Sequence, residues 1–348
     1  MNNLSININD SEHPAFPICL ITIAGFENRV KQSLSALRKW YGKKLDRTIV
    51  LDFDDTKLNE PNRSILINEV KEATNKSEVI NAKEFINSFN IKAIKDNFEF
   101  YFDISGATRA LIFKIMKMLM DSECNFSILY TEAETYYPKE QLYHELIKKP
   151  SSPVSILDDK IENEDIIYSK NCSIISPEGF TGTIEHGRMP LLIGFLTFKR
   201  SRLRCILEQI EFPVKIFIAG KPNRTDLQWR KELLMRINHD NIEQATEPIV
   251  ELETLCPVAT FKKLIEISFI NDRYFKYNIY LAPLGSKMQT IGAFFFWNYF
   301  KSAAIIFSKP QKYFPKTFSE GARETFVINK NKLIESITSV LKVEHGAK

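Results

Sequence analysis

The sequence predicts an α/β fold in which two Rossmann-like parallel-sheet units follow each other in tandem, as an internal pseudo-dimer. Short apolar runs of strand length, such as Phe16–Ala24 and Phe126–Thr131, alternate with amphipathic segments long enough to be helices. This alternation is typical of βαβ units and a mostly parallel sheet. It stops after residue 148 and resumes near residue 190, which indicates a second unit of the same kind.

We therefore predict a first unit over 1–148, a linker or inserted hairpin over 149–188, and a second unit over 189–348. The middle segment contains KPSSP, the acidic run LDDKIENED and scattered glycines, which favour a connection over a packed element. The later predicted elements include a strand at Pro190–Phe198, a strand at Ala303–Ser308 and a closing helix at Lys330–Val343.

The composition limits the class of protein. An apolar share of 44% with 26% charged residues is typical of a globular chain, and the net charge of +4 is too small to imply nucleic-acid binding by itself. The five cysteines lack CxxC spacing, so we expect reduced, mostly buried thiols, no disulfide framework and no zinc site. The N-terminus has no signal-peptide pattern, and no apolar run reaches the ~18 residues of a membrane helix. The expected location is cytoplasmic, without membrane contact.

One stretch, Phe98–Met120, combines the features of an anion site. It is a predicted buried strand ending in Asp103, a tight Ser105-Gly106 turn and an amphipathic helix with Arg109 in its first turn. The free N–H groups and the dipole at a helix start both favour negative charge. The sequence therefore predicts a bound anion here.

The second half of the chain contains a similar stretch, Tyr277–Trp297. Its Lys287 follows Gly285-Ser286 and lies within one position of where Arg109 lies in the first stretch. The two halves also share Pro-Asn-Arg, at residues 61–63 and 222–224, and Tyr-aromatic-Pro, at residues 136–138 and 313–315. These landmarks come in the same order in both halves, which predicts two units built alike.

Ligands of open parallel sheets bind outside the carboxyl ends of the strands, where the predicted loops gather. Cations and helix starts at that edge fit a phosphorylated ligand. The alternative is that Asp103 and Ser105 cap a helix while the basic side chains are solvated. The predicted ligand-binding residues are Gly25, Glu27, Arg29, Asp103, Ser105, Gly106, Thr108, Arg109, Glu132 and Tyr136 in the first unit, and Lys199, Arg200, Lys221, Gly285, Ser286 and Lys287 in the second.

The motif DISGATR, Asp103–Arg109, resembles the D-x-T-G-G-T-K signature of CARF domains, which are Rossmann-like sensors of cyclic oligoadenylates and related nucleotides in antiviral defence. PLGSKM, Pro283–Met288, is similar to a second, degenerate copy. Arg109 stands where the family has Lys, and the second copy lacks the leading Asp and the Thr. The motif is short, although the tandem architecture extends over most of the chain.

The resemblance implies a ligand in a groove between two domains. It would be contacted by the motif loops, Ser105–Arg109 and Leu284–Met288, and by the loops after the first strands, Gly25–Arg29 and Phe198–Ser201. It also implies a cytoplasmic sensor that acts through a partner effector protein, since no effector motif accompanies the repeats. No cofactor or metal is expected, catalysis is left undecided with a leaning against it, and a homo-oligomer is left open.

A competing motif is IVLDFDDTKL, residues 49–58, which matches the D-x-D-x-T motif of haloacid-dehalogenase-like phosphatases at Asp52, Asp54 and Thr56. There the first Asp attacks phosphorus, the second is an acid/base, and Mg²⁺ offsets the charges. Such an enzyme needs a further acidic pair, for which only Asp158-Asp159 in the linker-like segment is available. Solvated carboxylates at a polar strand end are the preferred interpretation.

Two further hypotheses remain. Glu132 and Glu134, with Tyr136 and Tyr137, could form an acidic-aromatic site for a base or ribose, or for glycosidic chemistry with paired carboxylates. The recurrence of Tyr-aromatic-Pro without the glutamates favours packing for the aromatics. Alternatively, the chain is a non-catalytic scaffold subunit of a defence complex whose aromatic surface binds a partner.

Overall fold

The computed structural model describes residues 6–25, 27–53, 60, 62–147, 172–310 and 319–346. Several sequence predictions lie outside these residues and stay predictions. They concern Phe26, Asp54 to Thr56, Pro61, most of the linker-like segment and the second Tyr-aromatic-Pro motif, residues 313–315.

Strands and helices alternate along the described chain. The strands are β1 (Ile6–Asn7), β2 (Ile18–Ile23), β3 (Leu45–Asp52), β4 (Thr74–Asn81), β5 (Glu99–Asp103), β6 (Phe126–Thr131), β7 (Thr135–Tyr136), β8 (Cys172–Ile175), β9 (Met189–Phe195), β10 (Val214–Lys221), β11 (Val250–Glu253), β12 (Tyr277–Ala282), β13 (Ala304–Ile305), β14 (Phe307–Pro310), β15 (Ser319–Glu320) and β16 (Thr325–Asn329). The helices are α1 (Arg29–Tyr41), α2 (Asn62–Ala73), α3 (Ala82–Ser88), α4 (Arg109–Asp121), α5 (Glu140–Ile147), α6 (Ser201–Gln209), α7 (Trp229–Ile237), α8 (His239–Ile242), α9 (Pro257–Phe269), α10 (Arg273–Lys276), α11 (Lys287–Tyr299) and α12 (Lys330–Gly346).

The chain forms two compact units. The first consists of Met1–Tyr136 with Ser319–Lys348, and the second of Tyr137–Phe318. The first unit contains a seven-stranded sheet in the order β1-β16-β6-β5-β2-β3-β4, in which β6, β5, β2, β3 and β4 are mutually parallel. Numbered by their appearance along the chain, these five strands stand in the order 5-4-1-2-3, which is the Rossmann order.

The second unit repeats this arrangement with five parallel strands in the order β11-β10-β9-β12-β13. By appearance in the chain they also stand in the order 3-2-1-4-5. A separate antiparallel pair, β8 with β14, accompanies this sheet. The predicted α/β class with Rossmann-like parallel sheets is thus confirmed.

The C-terminal segment differs from the predicted second unit, 189–348. Strand β16 pairs antiparallel with β6, with Phe326 opposite Tyr130, and extends the first unit's sheet. Lys330, at the start of α12, donates from Nζ to the carbonyl oxygen of Cys124 at 2.7 Å. The C-terminal segment thus returns to the first unit by pairing with residues almost two hundred positions earlier in the chain. Local hydrophobic periodicity cannot predict such a long-range pairing.

Fully buried strands hold each sheet at its centre. All six residues of β2 are buried, as are all five of β5, because helices cover both faces of a parallel sheet. In the second unit Leu191, Ile193 and Phe217 are wholly buried in the same way. Among the described residues no helix combines the length and the apolar character needed to cross a membrane.

The cysteines are free thiols, and Cys172 is more exposed than Cys19, Cys124, Cys205 and Cys256, which are buried. Burial raises the pKa of Cys19 to about 12 and also raises the pKa of Cys124 and Cys205. A thiol with a raised pKa holds little reactive thiolate near pH 8. We therefore expect a disulfide reagent to label Cys172 rapidly in the folded protein and all five cysteines after denaturation. Rapid labelling of a folded Cys172→Ser variant would contradict this.

Helices α9 and α11 approach each other closely at Gly292. A Cβ atom there would lie 2.4 Å from the carbonyl oxygen of Pro257 and 2.6 Å from Cβ of Thr260. Alanine has the higher helix propensity by about 1 kcal/mol, but overpacking a tight contact typically costs about 1–3 kcal/mol. We expect the overpacking to dominate, so that Gly292→Ala lowers the free energy of unfolding in urea titrations.

A matched control for Gly292→Ala is Asn298→Ala, on the same helix at a partly exposed position. It should change the stability by no more than about 0.5 kcal/mol. Equal or higher stability of Gly292→Ala would show that the two helices separate at little cost.

Candidate functional site

The candidate site of the first unit lies where β2 and β5 stand side by side. From β2 the chain continues through α1 to β3 on one side, and from β5 it continues through α4 to β6 on the other. The two loops that leave these strands therefore diverge and open a crevice at their carboxyl ends. The crevice is formed by residues 24–28, apart from Phe26, and by residues 104–108.

Two predicted glycines meet in this crevice. A Cβ atom on Gly25 would lie 3.3 Å from the carbonyl oxygen of Gly106, and a Cβ on Gly106 would lie 2.9 Å from Cγ2 of Val30 and 3.1 Å from the carbonyl oxygen of Ile23. The two loops thus touch through their backbones, and a side chain at Gly106 would force them apart. Both predicted glycines therefore lie in one crevice.

Asp103 and Ser105 are fully buried, which indicates a structural role for both side chains. Thr22 Oγ1 donates to Asp103 Oδ2 at 3.2 Å, and the backbone N–H of Ser105 donates to Asp103 Oδ1 at 2.9 Å. The backbone N–H of Thr131 donates to Ser105 Oγ at 2.8 Å. These hydrogen bonds fix the turn between β5 and α4, and direct contact of the two side chains with a ligand stays a prediction.

Glu27 and Arg29 form an ion pair inside the first unit. The Arg29 side chain is 5% exposed and that of Glu27 10%, and Nη2 of Arg29 donates to both carboxylate oxygens at 2.9 and 3.1 Å. Nη1 of Arg29 donates to the carbonyl oxygen of Thr131 at 3.1 Å, and Ser319 Oγ donates to Glu27 at 2.5 Å. This pair ties the loop after β2 to the end of β6. The two charges pair with each other within the protein, and the role of Glu27 and Arg29 as ligand contacts stays a prediction.

The start of α4 is more accessible. Thr108 is exposed and is the N-cap, and its Oγ1 accepts from the backbone N–H of Leu111 at 3.3 Å. Arg109 is the first helical residue and is partly exposed. The first turn of α4 contains no acidic side chain, which would otherwise interact with the positive end of the helix dipole.

The start of α11 in the second unit is built alike. Ser286 is the N-cap, and its Oγ accepts from the backbone N–H of Gln289 at 3.0 Å while the Ser286 N–H donates to Gln289 Oε1 at 2.9 Å. Lys287 is the first helical residue and is partly exposed, and this first turn also lacks an acidic residue. Gly285 lies against the end of β9, since a Cβ atom there would be 2.9 Å from Cδ1 of Phe195.

The two helix starts correspond residue by residue at Thr108 and Ser286 and at Arg109 and Lys287. Each follows the fourth parallel strand of its unit, and each unit places that strand beside its first. The sequence comparison had aligned the cations only to within one position. The N-cap residues fix the alignment.

The remaining predicted cations of the second unit are not gathered at one point. Arg200 is buried and lies 3.7 Å from a carboxylate oxygen of Asp240, so its charge is directed toward α8. Lys199 is partly exposed in the loop after β9. Lys221 is exposed at the end of β10, the neighbour of β9 on the side away from β12.

Glu132 is buried in the first unit, and Tyr136 is partly buried. The backbone of Glu132 pairs with Arg323 and Glu324, and its side chain is buried. Tyr136 Oη lies 3.1 Å from Tyr130 Oη and accepts from the backbone N–H of Ala133 at 3.0 Å. Burial raises the pKa of the Tyr136 phenol, which therefore stays protonated at neutral pH. These contacts support packing for the aromatic motif.

The phosphatase hypothesis places its nucleophile at Asp52, whose two carboxylate oxygens are occupied. Nε of Arg63 donates to Oδ2 at 2.6 Å, and the backbone N–H of Phe53 donates to Oδ1 at 2.9 Å. Asp52 also ends β3, the second strand, which lies outside the crevice between β2 and β5. Within the described part of the chain, the group that could hold a metal ion is a surface cluster on and beside α8 formed by His239, Asp240 and Glu243.

Sequence reasoning missed several residues that shape the site. Ser33 Oγ lies 2.7 Å from Thr131 Oγ1, which lies 2.8 Å from Thr325 Oγ1, so a chain of hydroxyls runs beneath the turn that contains Ser105. No local sequence pattern predicts these contacts between hydroxyl groups on separate elements. Gln289 was detectable, because Ser-x-x-Gln before an apolar run is the signature of a capping box.

No protein-family model and no curated protein matches the chain. Among solved structures, the chain is similar to a type III CRISPR defence DNA nuclease activated by cyclic oligoadenylate, with 7% identity and a TM-score of 0.48 over 79% of this chain and 63% of that one. It is also similar to Enterococcus italicus Csm6 bound to cyclic hexa-2'-fluoro-hexa-dAMP, with 11% identity and a TM-score of 0.26 over 43% of this chain and 46% of that one. The chain thus spans less than two thirds of the length of either structure. Similarity at this level carries no conclusion about what this chain binds.

Proposed function

We propose that this chain is a sensor that binds a nucleotide or another phosphorylated signal in antiviral defence and acts through a partner effector. The observation that carries the proposal is the repeated helix start beside the first strand of each unit. In both units a hydroxyl N-cap precedes a cation at the first helical residue, Thr108 with Arg109 and Ser286 with Lys287.

The chemistry of these helix starts favours phosphate. The first N–H groups of a helix lack intrahelical partners, and the dipole places about half a positive charge there. In each unit a partly exposed cation is the first residue of the helix, and the first turn contains no acidic residue. Such a turn suits a phosphate group better than a neutral ligand.

The close approach of Gly25 and Gly106 supports the same assignment in the first unit. Because Gly25 and Gly106 carry no side chain, the backbones of the two loops lie close together at this point, and backbone groups are available to a ligand there. Glycines have this function in dinucleotide-binding crevices, where the backbone approaches the phosphates. The buried pair of Glu27 and Arg29 and the buried Ser105 hold the loops in place around that point.

The nucleotide part of the proposal rests on the resemblance of Asp103–Arg109 to the CARF signature, and so does the effector. Phosphatase chemistry is the weaker candidate, because Asp52 would have to leave Arg63 before attacking phosphorus. Cyclic oligoadenylates are accordingly the first ligands to test.

The test is a thermal shift and calorimetric titration of the purified chain with cyclic oligoadenylates of several ring sizes, with linear oligoadenylate and AMP as comparisons. Binding to the folded state at one hundred times Kd stabilises it by about 2.7 kcal/mol, so a specific ligand should raise the melting temperature saturably. In parallel, each ligand is incubated with Mg²⁺ and separated by chromatography.

The outcomes distinguish the hypotheses. A saturable shift with one ring size supports the sensor. Mg²⁺-dependent phosphate release that Asp52→Asn abolishes would instead favour the phosphatase. If no ligand binds and nothing is cleaved, the proposal fails and a scaffold subunit becomes the better assignment.

A further inference from the structure

Strand β4 is the outer strand of the first unit's sheet. It is eight residues long and pairs in parallel with β3 along its whole length. Within the described residues no strand lies on its other side. Its outward N–H and C=O groups therefore form a row to which another strand can bind.

The other edges of the two large sheets are much shorter. Strand β1 has two residues, β11 has four and β13 has two. Natural proteins protect open edges by keeping them short or by placing a charge on them. An eight-residue edge with three consecutive exposed residues, Asn75 to Ser77, and with Val79 44% exposed is the least protected of the four.

The charges of β4 lie on one face of the strand. Lys76 and Glu78 are two residues apart, so their side chains point to the same side of the sheet. Glu78 Oε1 accepts from Nε of Arg47 at 2.7 Å, and the Glu78 side chain stays 29% exposed. Lys76 is exposed and forms no ion pair with any residue that the structure describes.

We infer that β4 pairs antiparallel with β4 of a second copy of this chain around a two-fold axis at Ser77. In that register Lys76 of each copy stands directly opposite Glu78 of the other, so the pairing creates two opposite-charge contacts. Cross-strand pairs of opposite charge stabilise a sheet, and like charges directly opposite destabilise it. A closed two-fold interface of this kind is isologous, since the same strand serves both copies.

The sequence of β4 selects this register. A shift of the axis to residue 76 places two lysines opposite each other, and a shift to residue 78 does the same with two glutamates. Both alternatives bring like charges together. A register with the axis between two residues would place the charged residues of the two copies on opposite faces of the sheet, where they cannot pair. A lysine on an edge strand usually prevents pairing with another strand. With the axis at Ser77, however, Lys76 stands opposite a glutamate, so both charged residues of β4 gain a partner of opposite charge.

A groove of about 350 Å³ runs beside this edge, between β4 and the end of α3. It is lined by Glu78, Val79, Ile80, Glu84 and Phe89, among others. In the proposed register the end of the partner's β4 near Thr74 lies opposite Ile80, next to this groove. The dimer is inferred from β4 alone and is independent of the ligand proposed above.

Cysteine trapping tests the register. In the full chain, Ser77→Cys places two thiols directly opposite each other at the axis, about 5 Å apart between Cβ atoms. Asn75→Cys is the matched control. In the proposed register this cysteine faces Val79 of the second copy, and it lies four residues along the strand from the corresponding cysteine of that copy. Under a mild disulfide oxidant such as oxidised glutathione, each cross-link takes two electrons and two protons from the two thiols.

We expect rapid covalent dimerisation of Ser77→Cys, and none of Asn75→Cys or of the native chain, on non-reducing gels. Absence of the Ser77→Cys cross-link overturns the inference. So does equally rapid cross-linking of both variants, which would indicate random collision.

Charge reversal tests the pairing without cysteines. Light scattering after size exclusion should give a dimer mass for the native chain and a monomer mass for Lys76→Glu and for Glu78→Lys alone, since each places like charges across the axis. A mixture of the two variants should recover the dimer, because both cross-strand contacts are then complementary. A monomeric native chain, or two variants that stay apart when mixed, overturns the inference. Circular dichroism checks that Glu78→Lys, which also loses the contact with Arg47, is folded.

Discussion

Arg29→Ala is expected to lower the free energy of unfolding by about 3–5 kcal/mol. The substitution removes a buried guanidinium and leaves the carboxylate of Glu27 buried without its counter-charge. It also removes the hydrogen bond to the carbonyl oxygen of Thr131 at the end of β6. Urea titration followed by circular dichroism measures the change.

A double variant tests whether the unpaired charge causes this loss. Arg29→Met with Glu27→Gln removes both charges and keeps similar volumes, so it should be about 1–2 kcal/mol more stable than Arg29→Ala. If the double variant is as unstable as the single one, packing and not charge accounts for the effect. A loss below about 1 kcal/mol in Arg29→Ala would show that Glu27 is hydrated.

Replacing Arg109 and Lys287 together by alanine is expected to weaken binding of the phosphorylated ligand at least ~10-fold, whichever of the two helix starts it contacts. A hydrogen bond to a charged group contributes about 1.5–3 kcal/mol, and the loss of one such contact exceeds the roughly 1.4 kcal/mol that corresponds to this factor. Calorimetric titration with the cyclic oligoadenylate that binds the native chain most tightly measures the loss.

The matched control for this pair is Lys117→Ala with Lys301→Ala. It removes the same number of positive charges, one from within α4 and one just after the end of α11, and leaves both helix starts intact. Binding to the control should stay within about threefold of the native chain, apart from salt-dependent steering. Equal weakening by both double variants would mean that net charge, and not the two helix starts, attracts the ligand.

The central strands and the helix starts were predictable because their signals are local. Strand β2 is mostly apolar and the centre of β5 is aromatic, and Gly106 and Arg109 follow β5 within six residues. The outer strands β4 and β11, with the sequences TNKSEVIN and VELE, were not predicted. An edge strand is solvated on one side and carries no apolar run, so periodicity does not reveal it.

The candidate site was predicted by residue type but not by the direction of its side chains. Asp103 and Ser105 were assigned to the ligand, yet both point into the protein. Their partners are Thr22 and Thr131, on two other strands. A polar residue at a strand end is equally compatible with a cap, a buried network or a ligand contact. Which of these three roles applies depends on the residues that the other strands place around it.

The placement of β16 and α12 has a consequence for biosynthesis. The first unit's sheet receives β16, the last of its seven strands along the chain, only after the ribosome has made the whole of the second unit, because Thr325–Asn329 follows residue 318. Until then the outer side of β6 has no strand to pair with. Assembly of the first unit therefore requires closure of a loop of almost two hundred residues, the kind of long-range contact that slows folding. The nascent chain is expected to complete its second unit before its first.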